Sequence, residues 1–295
     1  MIELKELLDT LNIDRKDDKK EEDTSEKLNL LMRYNKEKTR RVYSSEIRRF
    51  EEYARGKPLD EWTLRGFFDY LEKKGFSRNY QRNSWYALKK YFQAKGLPWV
   101  LDSKECPKVD RTKLKRKIKD ITLTKDEMER MIDVVKKNGS EKEKVFLSLT
   151  TIYAVRAGEI VQLTEKDIDR ERGVIHIQAE KGGEERYHLI PDEIKPYIYP
   201  WDFDTRLSYM RVLNIFKIIL EKAGIKKKEG MGPHSIRRGV FTLLCSTGLP
   251  LMRVYDFGRW KRRKELGMLA EYDNPDFEEV DRLIFSKHPL LVAWR

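Results

Sequence analysis

The sequence predicts a mainly α-helical fold with one small antiparallel β-sheet, arranged as an N-terminal helical bundle followed by a larger mixed α/β domain. Three observations predict this architecture. Apolar residues recur every three or four positions between polar N-caps and glycine stops in residues 28–104. Residues 105–120 are basic and lack a strong apolar face, which is typical of a linker. Two β-rich runs then flank a Gly-Gly pair within an otherwise helical second domain.

The N-terminal extension, residues 1–27, differs in charge from the rest of the chain. It carries ten acidic and six basic residues, a net charge of −4, whereas all 295 residues sum to +12 and the remainder is therefore +16. Leu4, Leu7, Leu8 and Leu11 form an apolar stripe at helical spacing, and a charged run that resembles a tether follows. The stripe could dock on the body, pair with another subunit or fray, and the sequence does not choose between these.

The helical bundle, residues 28–104, is predicted to contain three main helices. Asp60 and Ser77 have the residue types of N-caps, and Gly75 and Gly96 end the two helices that these residues start. The predicted apolar faces are, in chain order, Tyr43, Ile47, Phe50 and Ala54; Leu64, Phe67, Phe68 and Leu71; and Tyr80, Leu88, Tyr91 and Phe92.

Polar side chains on the other faces of these helices predict contacts with DNA, because a helix with a basic outer face suits the major groove. The candidates are Arg78, Arg82, Asn83, Lys89 and Lys90. An ordinary solvated surface explains any single one of them equally well. In the basic linker, residues 105–120, we predict that Lys113, Lys115 and Arg116 lie along DNA.

The second domain is expected to occupy residues 121–288, because Thr124 is a good N-cap with acidic residues in the turn that follows it. It begins with helices, then forms a hairpin around Lys181-Gly182-Gly183, and returns to helices near residue 205. His176 and His188 are assigned to the two strands of the hairpin rather than to a metal site, because no third ligand follows at a suitable spacing.

The C-terminal end of the chain predicts one more helix and an apolar tail, residues 289–295. Asp276 is placed as the N-cap of a helix that starts at Phe277, and Pro289 stops it. Its expected apolar face is Val280, Leu283 and Ile284. Leu290, Leu291, Val292 and Trp294 make the tail too apolar for free solution.

The overall composition indicates a polyanionic partner, because Lys and Arg gain affinity by releasing counterions from phosphates. Charged residues make up 38% of the chain, a bias that resembles proteins from hyperthermophiles. Cys106 and Cys245 form neither a disulfide framework nor a metal-ligand spacing. No apolar run reaches membrane-spanning length and no signal-peptide pattern is present. We therefore expect a soluble cytoplasmic protein that binds double-stranded DNA and uses no cofactor or metal.

Scattered polar residues of the second domain form a recognisable series. In chain order they are Arg156, Lys181, His234, Arg237, Trp260 and Tyr272, with Glu159 and Arg259 as supporting residues. Together, and with the segments "VRAGEIVQLTEKDID", "EKGGEERYHLIP" and "PHSIRRG", they resemble the tyrosine recombinase (phage integrase) family. The resemblance covers about residues 28–286.

The chain departs from the family pattern at two places. Gly258 is followed by Arg259 instead of His or Trp, and Trp260 precedes Tyr272 by twelve residues, more than the usual spacing. Whether Arg259 or Trp260 fills the His/Trp position is therefore open. Ala154 also stands where a glycine usually precedes the first arginine by two residues.

The resemblance implies a metal-free transesterification that residues of these types can support. Arg156 and Arg237 offer planar cations that fit phosphate oxygens, and His234 can donate to the same phosphate or accept the tyrosine proton. Lys181 would protonate the departing 5′-oxygen, and Tyr272 would be the nucleophile. Plain structural roles remain alternatives for each residue, most of all core packing for Trp260; Tyr255 is the rival to Tyr272.

The implied function is site-specific DNA recombination, by an integrase of a mobile element or by a chromosome-dimer resolvase. The resemblance also implies a homotetramer on paired sites, coupled by exchange of the C-terminal segment between subunits; folding back onto the same subunit is the alternative. Two other functions stay open: a type IB topoisomerase-like enzyme, and a non-catalytic DNA-binding protein of the same fold.

Overall fold

A computed structural model describes residues 26–33, 35, 37–178, 180, 183–203, 207–260, 273 and 275–295. The chain divides into two compact units, Met1–Leu114 and Lys115–Arg295, and each has its own apolar core. The predicted class, mainly helical with a small antiparallel sheet, is confirmed. Within the described ranges, no helix is both long enough and apolar enough to span a bilayer.

The first unit contains a short helical segment, residues 26–32, and three longer helices with the predicted caps. The longer helices are α1 (Glu37–Ala54), α2 (Glu61–Lys73) and α3 (Arg78–Ala94). The Asp60 carboxylate accepts a hydrogen bond from Thr63 N at 2.8 Å, and the Ser77 hydroxyl accepts one from Tyr80 N at 3.2 Å. Gly75 has a φ of 75°, a left-handed conformation that suits a residue after a helix end.

An aromatic cluster forms the core of the first unit. Phe50 of α1 and Phe67 of α2 are fully buried, with their rings 5.2 Å apart in an edge-to-face arrangement. The other residues of the predicted faces pack around them, with Tyr43, Phe68 and Tyr80 half-buried at the rim. The 3.6-residue period of the sequence therefore located this core correctly.

Residues 105–120, predicted as a linker, contain helix α4 (Arg111–Asp120). The carboxylate of Asp110 accepts hydrogen bonds from Thr112 N at 2.9 Å and Lys113 N at 3.0 Å, which starts the helix. None of its residues is buried. The amphipathic pattern did not predict this helix, because its two apolar residues, Leu114 and Ile118, form only a short stripe that is not buried in a core.

The second unit begins with helices that carry reciprocal caps. Thr124 and Glu127 form a capping box at α5, and Ser140 and Glu143 form one at α6. The helices before the C-terminal segment are α5 (Lys125–Asn138), α6 (Glu141–Ile152), α7 (Ala157–Gln162), α8 (Lys195–Ile198), α9 (Tyr209–Lys222), α10 (His234–Ser246) and α11 (Leu251–Phe257).

The sheet has the strand order β1-β2-β3, with both pairs antiparallel. Its strands are β1 (Ile168–Asp169), β2 (Val174–Ile177) and β3 (Arg186–Leu189). His176 pairs with Tyr187 across the hairpin, and His188 pairs with Ile175, so the assignment of both histidines to strands is confirmed. Strand β1 was not predicted, because two residues are too few to show an alternating pattern.

The last helix, α12 (Phe277–Ser286), starts at the predicted residue but differs in two details. Within the described part of the chain, the Asp276 side chain makes no cap hydrogen bond. Val280 and Ile284 are buried as expected, whereas Leu283 is 37% exposed. The buried stripe of this helix instead includes Asp281, a charged residue that an apolar pattern excludes.

The apolar tail packs on the second unit of its own chain, as in the cis alternative, while exchange between subunits on DNA stays a prediction. Leu290, Leu291 and Trp294 join the core of the second unit, while Val292 stays 63% exposed. The Trp294 indole donates to Thr151 Oγ1 at 3.0 Å, and Lys136 Nζ donates to the carbonyl of Arg295 at 2.9 Å. The tail finds its apolar and polar partners in cis.

Candidate active site

Arg156 lies at the junction between α6 and α7 and is held there by Glu159. Its backbone N–H donates to Glu159 Oε2 at 2.8 Å, and its guanidinium forms an ion pair with Glu159 Oε1. Two residues earlier, Ala154 has a φ of 51°. This left-handed conformation, which glycine adopts with the least strain, turns the chain between the buried α6 and Arg156.

Helix α10 carries His234 as its first residue and Arg237 one turn later. Its start matches the predicted break at Gly232-Pro233. His234 is exposed at the helix N-terminus, whereas Arg237 is only 2% exposed. One helical turn therefore provides an accessible imidazole and a buried guanidinium that point toward the same region of the unit.

The Arg237 guanidinium is fixed by two backbone carbonyls and two rings. Nη1 donates to Ala154 O at 2.6 Å and Nη2 donates to Gly258 O at 2.7 Å. The guanidinium carbon lies 5.0 Å from the Trp260 ring centroid and 4.8 Å from that of Phe241. Burial, followed by the charges of Arg259 and Arg156, lowers the pKa of Arg237 to about 9. The group therefore remains a cation at neutral pH.

Trp260 and Arg259 take opposite positions around the chain turn that follows α11. Trp260 is half-buried and packs on Phe241, with ring centroids 4.3 Å apart. Arg259 is 1% exposed; its Nη2 pairs with Glu159 Oε2 at 3.0 Å and its Nη1 donates to Tyr153 O at 3.2 Å. Trp260 is thus beside Arg237 at the surface of the site, and Arg259 lies behind it.

Glu159 connects Arg156 with Arg259 and is itself 1% exposed. Burial alone would raise the pKa of its carboxyl group. The positive charges of Arg259 and Arg156, with the backbone N–H of Arg156, outweigh this effect and lower the pKa of Glu159 below its ordinary value. The carboxylate stays ionised and holds a cation on each oxygen.

Two cavities meet at Arg156, His234 and Arg238. One, of about 760 Å³, is also lined by Arg237 and Trp260. The other has a volume of about 400 Å³ and is lined on its far side by Gly158, Glu180 and Tyr209. Four of the six predicted catalytic residues therefore border the larger cavity, and the described residues that line it include three arginines and no acidic side chain. Such a lining suits an anion.

The hairpin that carries Lys181 in the sequence approaches this site. Lys181 itself lies outside the described residues. Glu184 N donates to Arg259 O at 3.1 Å, and a Cβ placed on Gly183 would lie 2.8 Å from the same oxygen and 3.5 Å from Arg156 Nη1. Glycine is required at position 183 because the backbone of Arg259 leaves no space for a side chain.

Tyr272, the predicted nucleophile, also lies outside the described residues, but the residue after it is described. Asp273 accepts from Arg253 Nη2 at 2.8 Å and from Nη1 at 3.0 Å, a two-pronged ion pair with α11. Tyr255, the rival tyrosine, is half-buried on α11 with its ring 5.2 Å from that of Trp260.

The predicted DNA-contacting residues of the first unit differ in availability. Arg82 and Lys89 are exposed and Asn83 is half-buried. Arg78 pairs with Glu72 at 2.6 Å, and Lys90 Nζ donates to Leu31 O at 2.8 Å. In α4, the three predicted cations, Lys113, Lys115 and Arg116, are all exposed.

Sequence reasoning missed a buried polar chain behind the site. Arg259 Nη1 donates to His188 Nε2 at 3.1 Å, and His188 Nδ1 lies 3.1 Å from Asp281 Oδ1. Burial lowers the pKa of His188 to about 4, so the ring is neutral and carries its proton on Nδ1, toward Asp281. These residues are far apart in the sequence, and no spacing rule connects them.

Comparison with known proteins identifies the family of the chain. Residues 122–279 match the model of the phage integrase family. Tyrosine recombinase XerA of Thermococcus kodakarensis is 26% identical over 235 residues, which cover 74% of this chain and 79% of that protein. A lambda integrase dimer bound to a COC′ core site has a TM-score of 0.62 at 15% identity, covering 89% of this chain and 77% of that one. A lambda integrase tetramer bound to a Holliday junction also has a TM-score of 0.62, at 13% identity, with coverages of 86% and 80%.

Proposed function

Because the chain belongs to the phage integrase family, we propose that it is a site-specific DNA recombinase that cleaves and rejoins DNA strands through a 3′-phosphotyrosyl intermediate. The observation that carries this proposal is the convergence of Arg156, His234, Arg237 and Trp260 on one cavity. Cationic side chains held in place before the reaction are what a phosphodiester needs, because negative charge develops on its non-bridging oxygens.

In the proposed mechanism, the Tyr272 hydroxyl loses its proton, which His234 can accept, its oxygen attacks the scissile phosphorus, and the bond from phosphorus to the 5′-oxygen breaks. Lys181 supplies the proton that the departing 5′-oxygen takes up. Arg237 uses one N–H of each terminal nitrogen for backbone carbonyls, so a guanidinium with five N–H groups keeps donors for the phosphate. Arg156 provides the second planar cation.

The phosphotyrosyl bond keeps the energy of the original phosphodiester, so a 5′-hydroxyl of another strand can reverse the attack. With two guanidinium groups meeting the phosphate oxygens, no step of this scheme calls for a metal ion. The proposed partner is double-stranded DNA. The proposed contacts outside the site are the cations of α4 and the predicted residues of the first unit, Arg78, Arg82, Asn83, Lys89 and Lys90. Because lambda integrase forms a tetramer on a Holliday junction, we also propose four subunits on paired sites.

A nicked suicide substrate tests the chemistry, because the cleaved end diffuses away and the covalent protein–DNA adduct accumulates. We expect adduct from the wild type and from Tyr255→Phe. Tyr272→Phe removes one hydroxyl, so it should bind DNA normally and form no adduct. A wild type that binds DNA but forms no adduct would indicate the non-catalytic alternative, and adduct from Tyr272→Phe would exclude this nucleophile.

Strand exchange between two duplexes separates the remaining alternatives. A recombinase joins strands of different duplexes and forms a four-way junction. A topoisomerase-like enzyme relaxes supercoiled DNA and forms no junction. We expect junctions from two duplexes that each carry the cleaved site, and relaxation without junctions would contradict the proposal.

A further inference from the structure

Arg259 is an unusual residue for its surroundings. It is 1% exposed and has a φ of 56°, a left-handed conformation that side chains rarely adopt. Burial lowers the pKa of its guanidinium, with opposing effects from the Glu159 carboxylate. Such a residue persists when the structure around it determines both its backbone and its side chain, and residues of this kind cluster at functional sites.

The side chain of Arg259 leads to Arg156 through one carboxylate. Arg259 Nη2 binds Glu159 Oε2 at 3.0 Å, and the Arg156 guanidinium binds Glu159 Oε1. Each oxygen of Glu159 thus has its own cation. Without Arg259, both oxygens of the buried Glu159 carboxylate could pair with Arg156. The Arg156 guanidinium would then turn away from its present direction.

The backbone of the same turn contacts two other parts of the site. Gly258 O accepts from Arg237 Nη2 at 2.7 Å, and Arg259 O accepts from Glu184 N at 3.1 Å, on the hairpin that carries Lys181 in the sequence. Trp260 then lies over the Arg237 guanidinium. The Gly258-Arg259-Trp260 turn therefore touches both catalytic arginines, one of them through Glu159.

On its inner side, Arg259 is held by groups that do not face the cavity. Its Nη1 donates to His188 Nε2, and His188 Nδ1 donates to Asp281 Oδ1 of α12. Asp281 also accepts from Leu189 N at 2.7 Å, which fixes its carboxylate on β3. The direction of the Arg259 guanidinium is consequently set by the sheet and the last helix.

We propose that Arg259 is a positioning residue, which does not contact DNA but directs Arg156 toward the scissile phosphate by holding Glu159. The inference rests on the proposed function. It assigns the His/Trp position at the phosphate to Trp260, and it gives Arg259 a role behind Arg156.

A double-mutant cycle tests whether Arg259 acts through Arg156. The readout is the single-turnover rate of adduct formation on the suicide substrate, with protein in excess. We expect Arg259→Met to slow cleavage about 10- to 100-fold, because small misplacements of a catalytic group have effects of this size. DNA affinity should not change. The double variant with Arg156→Ala should be no slower than Arg156→Ala alone, because Arg259 has nothing left to position.

Lys222→Met is a matched control, because Lys222 also pairs with a buried glutamate, Glu143, at the opposite end of α6. It should leave the cleavage rate unchanged. If Arg259→Met fails to fold, Arg259→Gln replaces it, since an amide can donate a hydrogen bond to Glu159 but brings no cation to the carboxylate. The same lack of additivity with Arg156→Ala is expected.

The outcomes separate this inference from the proposed function. The positioning role alone would be overturned if the defects multiplied in the double variant. It would also be overturned if a folded Arg259→Met or Arg259→Gln protein cleaved DNA at the wild-type rate. A large defect of Arg156→Ala would meanwhile support the proposed chemistry. A wild type that forms no adduct would overturn both.

Discussion

Trp294→Ala should destabilise the second unit strongly, because the C-terminal tail is part of its own core. Trp294 is 1% exposed, its ring centroid lies 4.8 Å from that of Tyr197, and its indole donates to the buried Thr151 hydroxyl at 3.0 Å. Replacing a buried tryptophan by alanine costs about 3–5 kcal/mol of unfolding free energy. Area gives a similar value, since ~200 Å² of aromatic surface at about 25 cal/mol per Å² is ~5 kcal/mol.

Urea denaturation of the full-length protein measures this free energy, with Val292→Ala as the matched control. Val292 belongs to the same tail but is 63% exposed, so its truncation should change stability by less than about 0.5 kcal/mol. In a heating experiment, a unit of this size loses about 2–4 °C per kcal/mol. The transition of Trp294→Ala should therefore fall by roughly 6–20 °C.

Exchange of the tail between subunits predicts the opposite pattern. The isolated protein would then tolerate Trp294→Ala, with a loss below about 1 kcal/mol, while assembly on paired DNA sites, sized by light scattering, would fail. That combination would refute the packing of the tail in cis. A large loss of stability, with assembly intact at temperatures where the variant is folded, is the result we expect.

Two further predictions follow from the described contacts. Arg253→Ala should slow adduct formation about 10- to 100-fold at unchanged DNA affinity, because it releases Asp273, the residue next to Tyr272. Arg282→Ala, which breaks an exposed ion pair on α12, is the control. Equal rates of adduct formation by the two variants would contradict the reasoning. Burial lowers the pKa of His188 and of His288 to about 4. Between about pH 6.5 and 4 the unfolded chain therefore binds more protons than the folded chain, so the free energy of unfolding should fall as the pH drops through this range. Each histidine contributes at most about 3 kcal/mol, and an unchanged pH slope in His288→Gln would contradict its share.

Local rules located most of the fold. The caps at Asp60, Ser77 and Thr124 and the helix stop at Gly75 were predicted correctly, because each depends on a hydrogen bond or a φ angle within a few residues. The hairpin was also predicted correctly from its two β-rich runs. Such features need no knowledge of the rest of the chain.

Sequence patterns did not show contacts between residues that are far apart along the chain. Leu283 has an apolar residue type at helical spacing, yet it is exposed, because α12 turns Asp281 toward His188 and the backbone of β3. The ammonium of Lys90, a predicted DNA contact, donates to Leu31 O, a partner that no local pattern indicates. For the tail, apolar character states that a surface must be covered and not which copy covers it, so the sequence left both arrangements open.

The choice between Arg259 and Trp260 shows the limit of spacing most directly. The number of residues before Tyr272 leaves both assignments open, because a residue count does not show where each side chain points. Arg259 has a left-handed backbone just after α11 ends, and its side chain and that of Trp260 contact different parts of the site. Arg259 enters the core toward Glu159, and Trp260 reaches the Arg237 guanidinium. Under the proposed function, a chain with one residue between Gly258 and the aromatic ring can therefore keep that ring beside Arg237, provided that the side chain in between finds a buried counter-charge, which Glu159 supplies.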